Sequence, residues 1–166
     1  MTGMEDLRIR LYGDPVLRRK SAQVVAFTDD IRALVDKMIE IMFEHNGLGL
    51  AAPQVGVLKR IAIVLKDEKP LVLINPEILE VSDDLIEAKE GCLSFPDIFE
   101  VIKRPAGVKV KAFNLKGEEY ELEAEGIVAR AILHELDHLE GKLLIDYLSP
   151  VRRALVKSRI KKLWRK

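Results

Sequence analysis

Hydrophobic positions along the chain follow two periods. In "FTDDIRALVDKMIEIMFEHNG", residues 27 to 47, Ile31, Leu34, Val35, Met38, Ile41 and Met42 recur at intervals of three and four. That is the stripe of a helix with one buried face. Thr28 or Asp29 can cap its start, acidic residues fill its first turn, and Asn46-Gly47 offers a stop. From about residue 60 the texture changes to short stretches rich in Val and Ile: "RIAIVL", "LVLINPEILEV", "IFEVIKRP", "VKVKAF" and "EYELEAEG". Pro, Gly and Asn separate them, which predicts strands. "NLKGEE", between two alternating stretches, reads as a hairpin turn. Helical spacing returns in "GIVARAILHELDHLEG", closed by Gly141, and Ser149-Pro150 then supplies a cap and a first-turn proline for a last helix at about 150–165. Helices at both chain ends with mostly antiparallel short strands between them predict an α+β fold.

Composition narrows the class. With 166 residues, 48% hydrophobic and 33% charged, the chain is expected to form one domain over 1–166 with its own core. Repeats, low-complexity stretches and dividing linkers are absent from the sequence. No apolar run approaches the roughly 20 residues that cross a bilayer. "MTGMEDLRIR" lacks the apolar centre of a signal peptide and carries early acids, so a cytoplasmic location is expected. The single cysteine, Cys92, excludes an internal disulfide and makes that thiol a residue to explain.

The net charge of zero conceals an asymmetry. Residues 151 to 166 hold eight of the 27 Lys and Arg and none of the 27 Asp and Glu. In that segment Val156, Ile160, Leu163 and Trp164 fall on one helical face. Two readings stay open, a docked terminal helix with a solvated charged surface or a contact with an anionic partner. A membrane surface is the weaker third, because Trp164 is the segment's only large aromatic.

Three stretches carry possible chemistry. In "HELDHLEG", residues 134 to 141, His134 and His138 stand four apart, so a helix places them on one face with Glu135 beside them. Two imidazoles so placed can bind one metal ion, and Glu135 can act on its water; the bland alternative is a solvated helix end. Against that alternative, these are two of the chain's three histidines, and the preceding "IVARAIL" is too apolar for full exposure. The third, His45, reads as a terminal-turn residue of the first helix. A hydrolytic ion usually takes three protein ligands. Cys92, in "EGCLSFP", could be the third as a thiolate, although taken alone a lone cysteine is more often a small buried hydrophobe. "GLGLAAPQVG", residues 47 to 56, permits close backbone approach and fits neither a P-loop nor a dinucleotide fingerprint. Its one polar side chain, Gln54, can donate to an oxygen gaining charge or can merely be exposed.

Together and in this order, "GLGLAAPQ", "EGCLS" and "HELDH" closely resemble the three signature motifs of the peptide deformylases. "YGDPVLRRKS", "INPEI" and "GKLLIDYLSP" extend the likeness over roughly residues 8 to 150, and the organisation is most similar to the bacterial cytoplasmic branch. The resemblance implies strands packed around a central metal-binding helix, and a hydrolase that removes formyl from the N-terminal formylmethionine of newly made polypeptides. It implies Cys92, His134 and His138 as metal ligands, and Glu135 as general base and then acid. Gln54 and the Leu93 backbone N–H would face the oxyanion. Leu48, Ile127 and Ala131 would surround the methionine, with Gly49, Glu90 and Gly91 also meeting substrate. Ferrous iron is the implied ion, with Zn2+, Ni2+ or Co2+ able to substitute. The implied partners are N-formylmethionyl nascent peptides and, through the basic helix, the ribosome; neither DNA nor a membrane is expected. Two positions depart from the pattern. Arg130 stands where many members place an apolar pocket residue, its stem able to line the pocket with the charge at the rim. Leu133 stands where a glutamine often precedes the first histidine.

Two rivals remain. A His-Glu-x-x-His endopeptidase would cleave internal bonds, and Cys92 as third ligand argues against it. A closed structural metal site needs a fourth ligand, and Asp137 lies about 60° off the histidine face by helix periodicity.

Overall fold

The computed structural model describes residues 6–164. Helix α1 spans Asp29–Glu44 and begins where the sequence pattern puts it, with the Thr28 hydroxyl accepting from the Ile31 N–H. Its predicted stripe is the buried face. The helix stops at His45, whose Nδ1 bonds the Ile41 carbonyl at 2.9 Å, and Asn46 follows at φ 54°.

Seven strands follow in chain order: β1 (Gly49–Ala51), β2 (Ile61–Lys66), β3 (Lys69–Val81), β4 (Leu85–Cys92), β5 (Phe95–Pro105), β6 (Gly107–Phe113) and β7 (Glu119–Glu125). Five form one antiparallel sheet in the order β1-β2-β3-β6-β7, and β4 and β5 pair separately as a two-stranded antiparallel sheet. The predicted hairpin turn lies between β6 and β7, where Asn114 Oδ1 accepts from the Lys116 and Glu118 N–H groups. Helix α2 (Gly126–Leu139) follows β7, and α3 (Pro150–Leu163) ends the described chain.

The five-stranded sheet is covered on both faces. Alternate residues of β2 point to opposite sides, as strand geometry requires. Ile61 and Ile63 join the α1 stripe, while Val64 joins Ala129, Ile132, Leu133 and Leu136 of α2. The β4–β5 sheet has its own cluster: Phe95, Ile98 and Ile102 pack on Leu17, the turn Leu144–Tyr147, and Val156 and Ile160 of α3. Two strands were not evident from the period: "GLGLAAPQVG" contains a short edge strand leading into a 3-10 turn, and "LIEAKEGC" is a full strand. Leu163 also leaves the buried face of α3 at 39% exposure, whereas the Trp164 indole N–H docks by donating to the Pro96 carbonyl at 3.1 Å. The outer ends of the expected 1–166 unit, residues 1–5 together with Arg165 and Lys166 of the basic run, lie outside the described residues.

Candidate metal and catalytic centre

His134 and His138 stack on successive turns of α2, ring centroids 5.0 Å apart. Both are buried, because α2 faces the sheet and the β4–β5 hairpin rather than solvent. Cys92 closes β4 at a register shift, a bulge that turns its side chain toward α2. Its Sγ lies 3.3 Å from His138 Nε2, and one ligating atom from each of Cys92, His134 and His138 falls within 4.8 Å of the others. A metal ion bound by such donors sits about 2.0–2.3 Å from each, so three atoms this close can share one ion. A thiolate with two imidazoles is also a donor set suited to borderline-soft divalent metals.

The groups around the trio are held for it. Glu90 Oε1 stands 3.0 Å from His134 Nδ1, leaving Nε2 as the ring atom free to ligate. Burial alone would raise the Glu90 carboxyl, but bonds from His134 and Arg104 hold it down at about 2. The rings are pulled in opposite directions. Against burial, the Cys92 sulfur and Glu90 raise His134 well above the usual histidine value, while burial and the His134 charge push His138 well below it. Glu135 is buried beside them, and its Oε1 has no hydrogen-bond partner among the described residues. Burial pushes its carboxyl up to about 7. That leaves a carboxyl near neutrality, aimed into the site and not consumed by structure.

Gln54 is buried rather than exposed. Its Oε1 accepts from the Ala51 N–H at 2.9 Å, and its Nε2–H group reaches Ser94 Oγ at 3.2 Å and Cys92 Sγ at 3.5 Å. The amide donor is thereby aimed at the same centre. Gly49 explains the glycine richness of its stretch: a Cβ there would stand 2.6 Å from Glu135 Oε2. Eleven of the twelve predicted site residues line one cleft of about 930 Å³; His138 lies behind it. Leu48 and Ile127 stand at its mouth, 53% and 64% exposed, with Ala131 and Leu93 further along the wall. They form an apolar approach to a polar floor, the usual make-up of a small-molecule site.

Three charged side chains near the centre are engaged within the protein. The Glu90 carboxylate, expected to meet substrate, has both oxygens engaged by Arg104, Arg130 and His134. Arg130 does not carry its charge to the rim; only 12% exposed, it donates to Glu90. Asp137 is paired with Arg104 at 3.0 Å and accepts from the Tyr147 hydroxyl at 2.6 Å, so it is no fourth ligand. Arg104 and Ser94 were not singled out from the sequence. An arginine in the strand pattern of "IFEVIKRP" and a serine beside the lone cysteine were the only signals.

The family profile described as polypeptide deformylase matches residues 6–154. The chain is 46% identical over 153 residues to the peptide deformylase of Thermotoga maritima, covering 92% of this chain and 93% of that protein. It is 52% identical over 138 residues to that of Clostridium botulinum, covering 83% and 93%. Among solved structures, peptide deformylase from Ehrlichia chaffeensis in complex with actinonin superposes with a TM-score of 0.92 at 38% identity, covering 96% of this chain and 98% of that one. The Legionella pneumophila peptide deformylase gives 0.91 at 34% identity, covering 96% and 95%.

Proposed function

The chain belongs to the polypeptide deformylase family, metal-dependent hydrolases that remove the N-formyl group from newly made peptides, and on that premise we propose that Cys92, His134 and His138 hold the ion while Glu135, Gln54 and Leu93 carry the reaction. What supports this most is one juxtaposition. Three candidate ligating atoms within 4.8 Å of one another stand beside a buried carboxylate oxygen that has no partner among the described residues.

An ion held by Cys92, His134 and His138 would supply Lewis acidity and would bring the pKa of a nearby water down to about 7. Glu135 takes a proton from the attacking water as the new C–O bond forms. It delivers that proton to the amide nitrogen as the C–N bond breaks, so the peptide leaves with a free amine and the formyl carbon as formate. Burial, which favours the protonated carboxyl, suits Glu135 to hold the proton between the two transfers. The Gln54 amide and the Leu93 backbone N–H face the formyl oxygen as it gains charge. Leu48, Ile127 and Ala131 receive the methionine side chain, Gly49 and Gly91 lie along the peptide, and Glu90 keeps His134 oriented for the ion.

Ferrous iron is the ion we assign, with Zn2+, Ni2+ or Co2+ able to take its place, since a thiolate and two imidazoles suit all four. The substrate is the formylmethionyl end of a nascent chain, which places the work where translation occurs, in the cytoplasm. Lys157, Arg159, Lys161 and Lys162 are exposed on α3 with no acidic residue in that helix, a surface that fits ribosomal RNA. Elemental analysis tests the ligand set. Cys92→Ser, His134→Ala and His138→Ala are each expected to lose the ion, whereas Glu135→Gln keeps it. Full metal content in any of the first three would remove that residue from the centre.

A further inference from the structure

The three candidate ligands come from two separate pieces of the molecule. Cys92 ends β4 in the two-stranded sheet, and His134 and His138 ride on α2, which packs against the five-stranded one. Apolar packing is non-directional and does not by itself fix a sulfur against two ring nitrogens; directional bonds do.

Four charged side chains cross this seam. Arg130 and Asp137 stand two turns apart on α2 and so share a side of the helix. Facing them are Glu90 on β4 and Arg104 on β5. Arg130 Nη1–H donates to Glu90 Oε2 at 2.6 Å, Arg104 Nη2–H to Glu90 Oε1 at 2.9 Å, and Arg104 Nη1–H to Asp137 Oδ2 at 3.0 Å. The signs alternate along the row, and both ends sit on the helix with both middle members on the hairpin. Arg130 adds two bonds the others lack, to the Ile86 carbonyl of β4 at 2.6 Å and the Ile102 carbonyl of β5 at 2.9 Å. One guanidinium thus ties α2 to the backbone of both hairpin strands and to the carboxylate that touches His134 Nδ1. With Arg130 12%, Glu90 5% and Arg104 4% exposed, solvent screens the row little.

We propose that Arg130 is a positioning residue for the metal centre: it pins the hairpin carrying Cys92 to the helix carrying His134 and His138 and, through Glu90, fixes the His134 ring. The role rests on the ligand reading given above. It requires arginine, because three acceptors in different directions need a planar fork of donors that an ammonium lacks. A partner that touches a metal ligand, as Glu90 touches His134, typically changes metal affinity by about 10–100-fold when lost, and Arg130 acts on that partner.

Co2+ affinity of the folded, metal-stripped protein, measured by chelator competition, tests this. Thermal melting of the stripped protein accompanies it, since a merely structural contact would lower melting without moving the affinity of folded molecules. Wild type is expected to bind a single Co2+ and Cys92→Ser to lose it; binding that survives Cys92→Ser would overturn the ligand reading itself. Arg130→Met keeps the stem along the cleft and deletes the donors, and is expected to bind Co2+ about tenfold more weakly, the low end of that range, with KM for a formyl peptide little changed. Arg130→Lys keeps the charge near Glu90 without the fork, should fall between the two, and decides the matter if the methionine variant does not fold. Unchanged Co2+ affinity in the folded variant overturns the proposal. If KM alone rises, Arg130 is only a wall of the methionine pocket.

Discussion

Among single residues, the centre leaves little room around Glu135. Gly49→Ala would set a methyl 2.6 Å from Glu135 Oε2 and 2.9 Å from its Cγ, so the buried Glu135 side chain and its carboxylate cannot keep their place. Displacing a catalytic group by about 1 Å can cost about a hundredfold in rate. Formate release by this variant should therefore drop by that order with metal content intact. Gln54→Ala tests a different atom. It removes the donor aimed beside Cys92 and should lower kcat by about 10²–10³-fold, again without loss of the ion. Unchanged turnover in a folded Gln54→Ala protein would take the oxyanion role away from that amide.

At the scale of elements, stability is set away from the cleft. Thr28 caps α1 at the end far from the site, so Thr28→Ala should lower unfolding free energy by about 1 kcal/mol in urea titration and leave formate release per folded molecule unchanged. The turn Leu144–Tyr147 is tied down by Asp146, which accepts from Arg18 at 2.6 and 3.0 Å and from the Leu143 N–H at 2.9 Å. Partial burial would raise the Asp146 carboxyl, but those bonds hold it below the ordinary aspartate value. Its contribution is therefore present above about pH 4 and is lost as pH falls through the lowered folded-state value. Asp146→Asn should flatten that acid limb in melting curves taken from neutral to acid pH. The periodicity in the sequence was legible where one face of an element is buried, as in α1 and in "VKVKAF" of β6. It was not legible in β4, whose "LIEAKEGC" is exposed along most of its length, or in β1, three residues recruited by backbone pairing with β2. His134, Glu135 and His138 could be proposed as candidates because helical spacing puts them together, whereas Cys92 was reached only as a missing third ligand and through the family resemblance. The row from Arg130 to Asp137 could not be proposed, because it exists only once the β4–β5 hairpin meets α2.

At the scale of the whole molecule, two sheets with separate apolar clusters meet along α2, and the candidate centre lies at that meeting with an apolar cleft opening from it. A site shared between two packed units lets one chain supply a sulfur and two imidazoles that local sequence could not bring together. It also makes metal loading and deformylation a single property of the assembled fold. The measurement that bears most directly on this is formate release from an N-formyl-Met-Ala-Ser peptide. It should be followed with anaerobically purified protein, after chelation, after return of Fe2+ or Ni2+, and with Glu135→Gln. The account predicts formate from the loaded protein, its loss on chelation, its recovery with metal, and its absence in Glu135→Gln despite full metal content. Formate production that survives chelation, or that persists at the wild-type rate in Glu135→Gln, would contradict it.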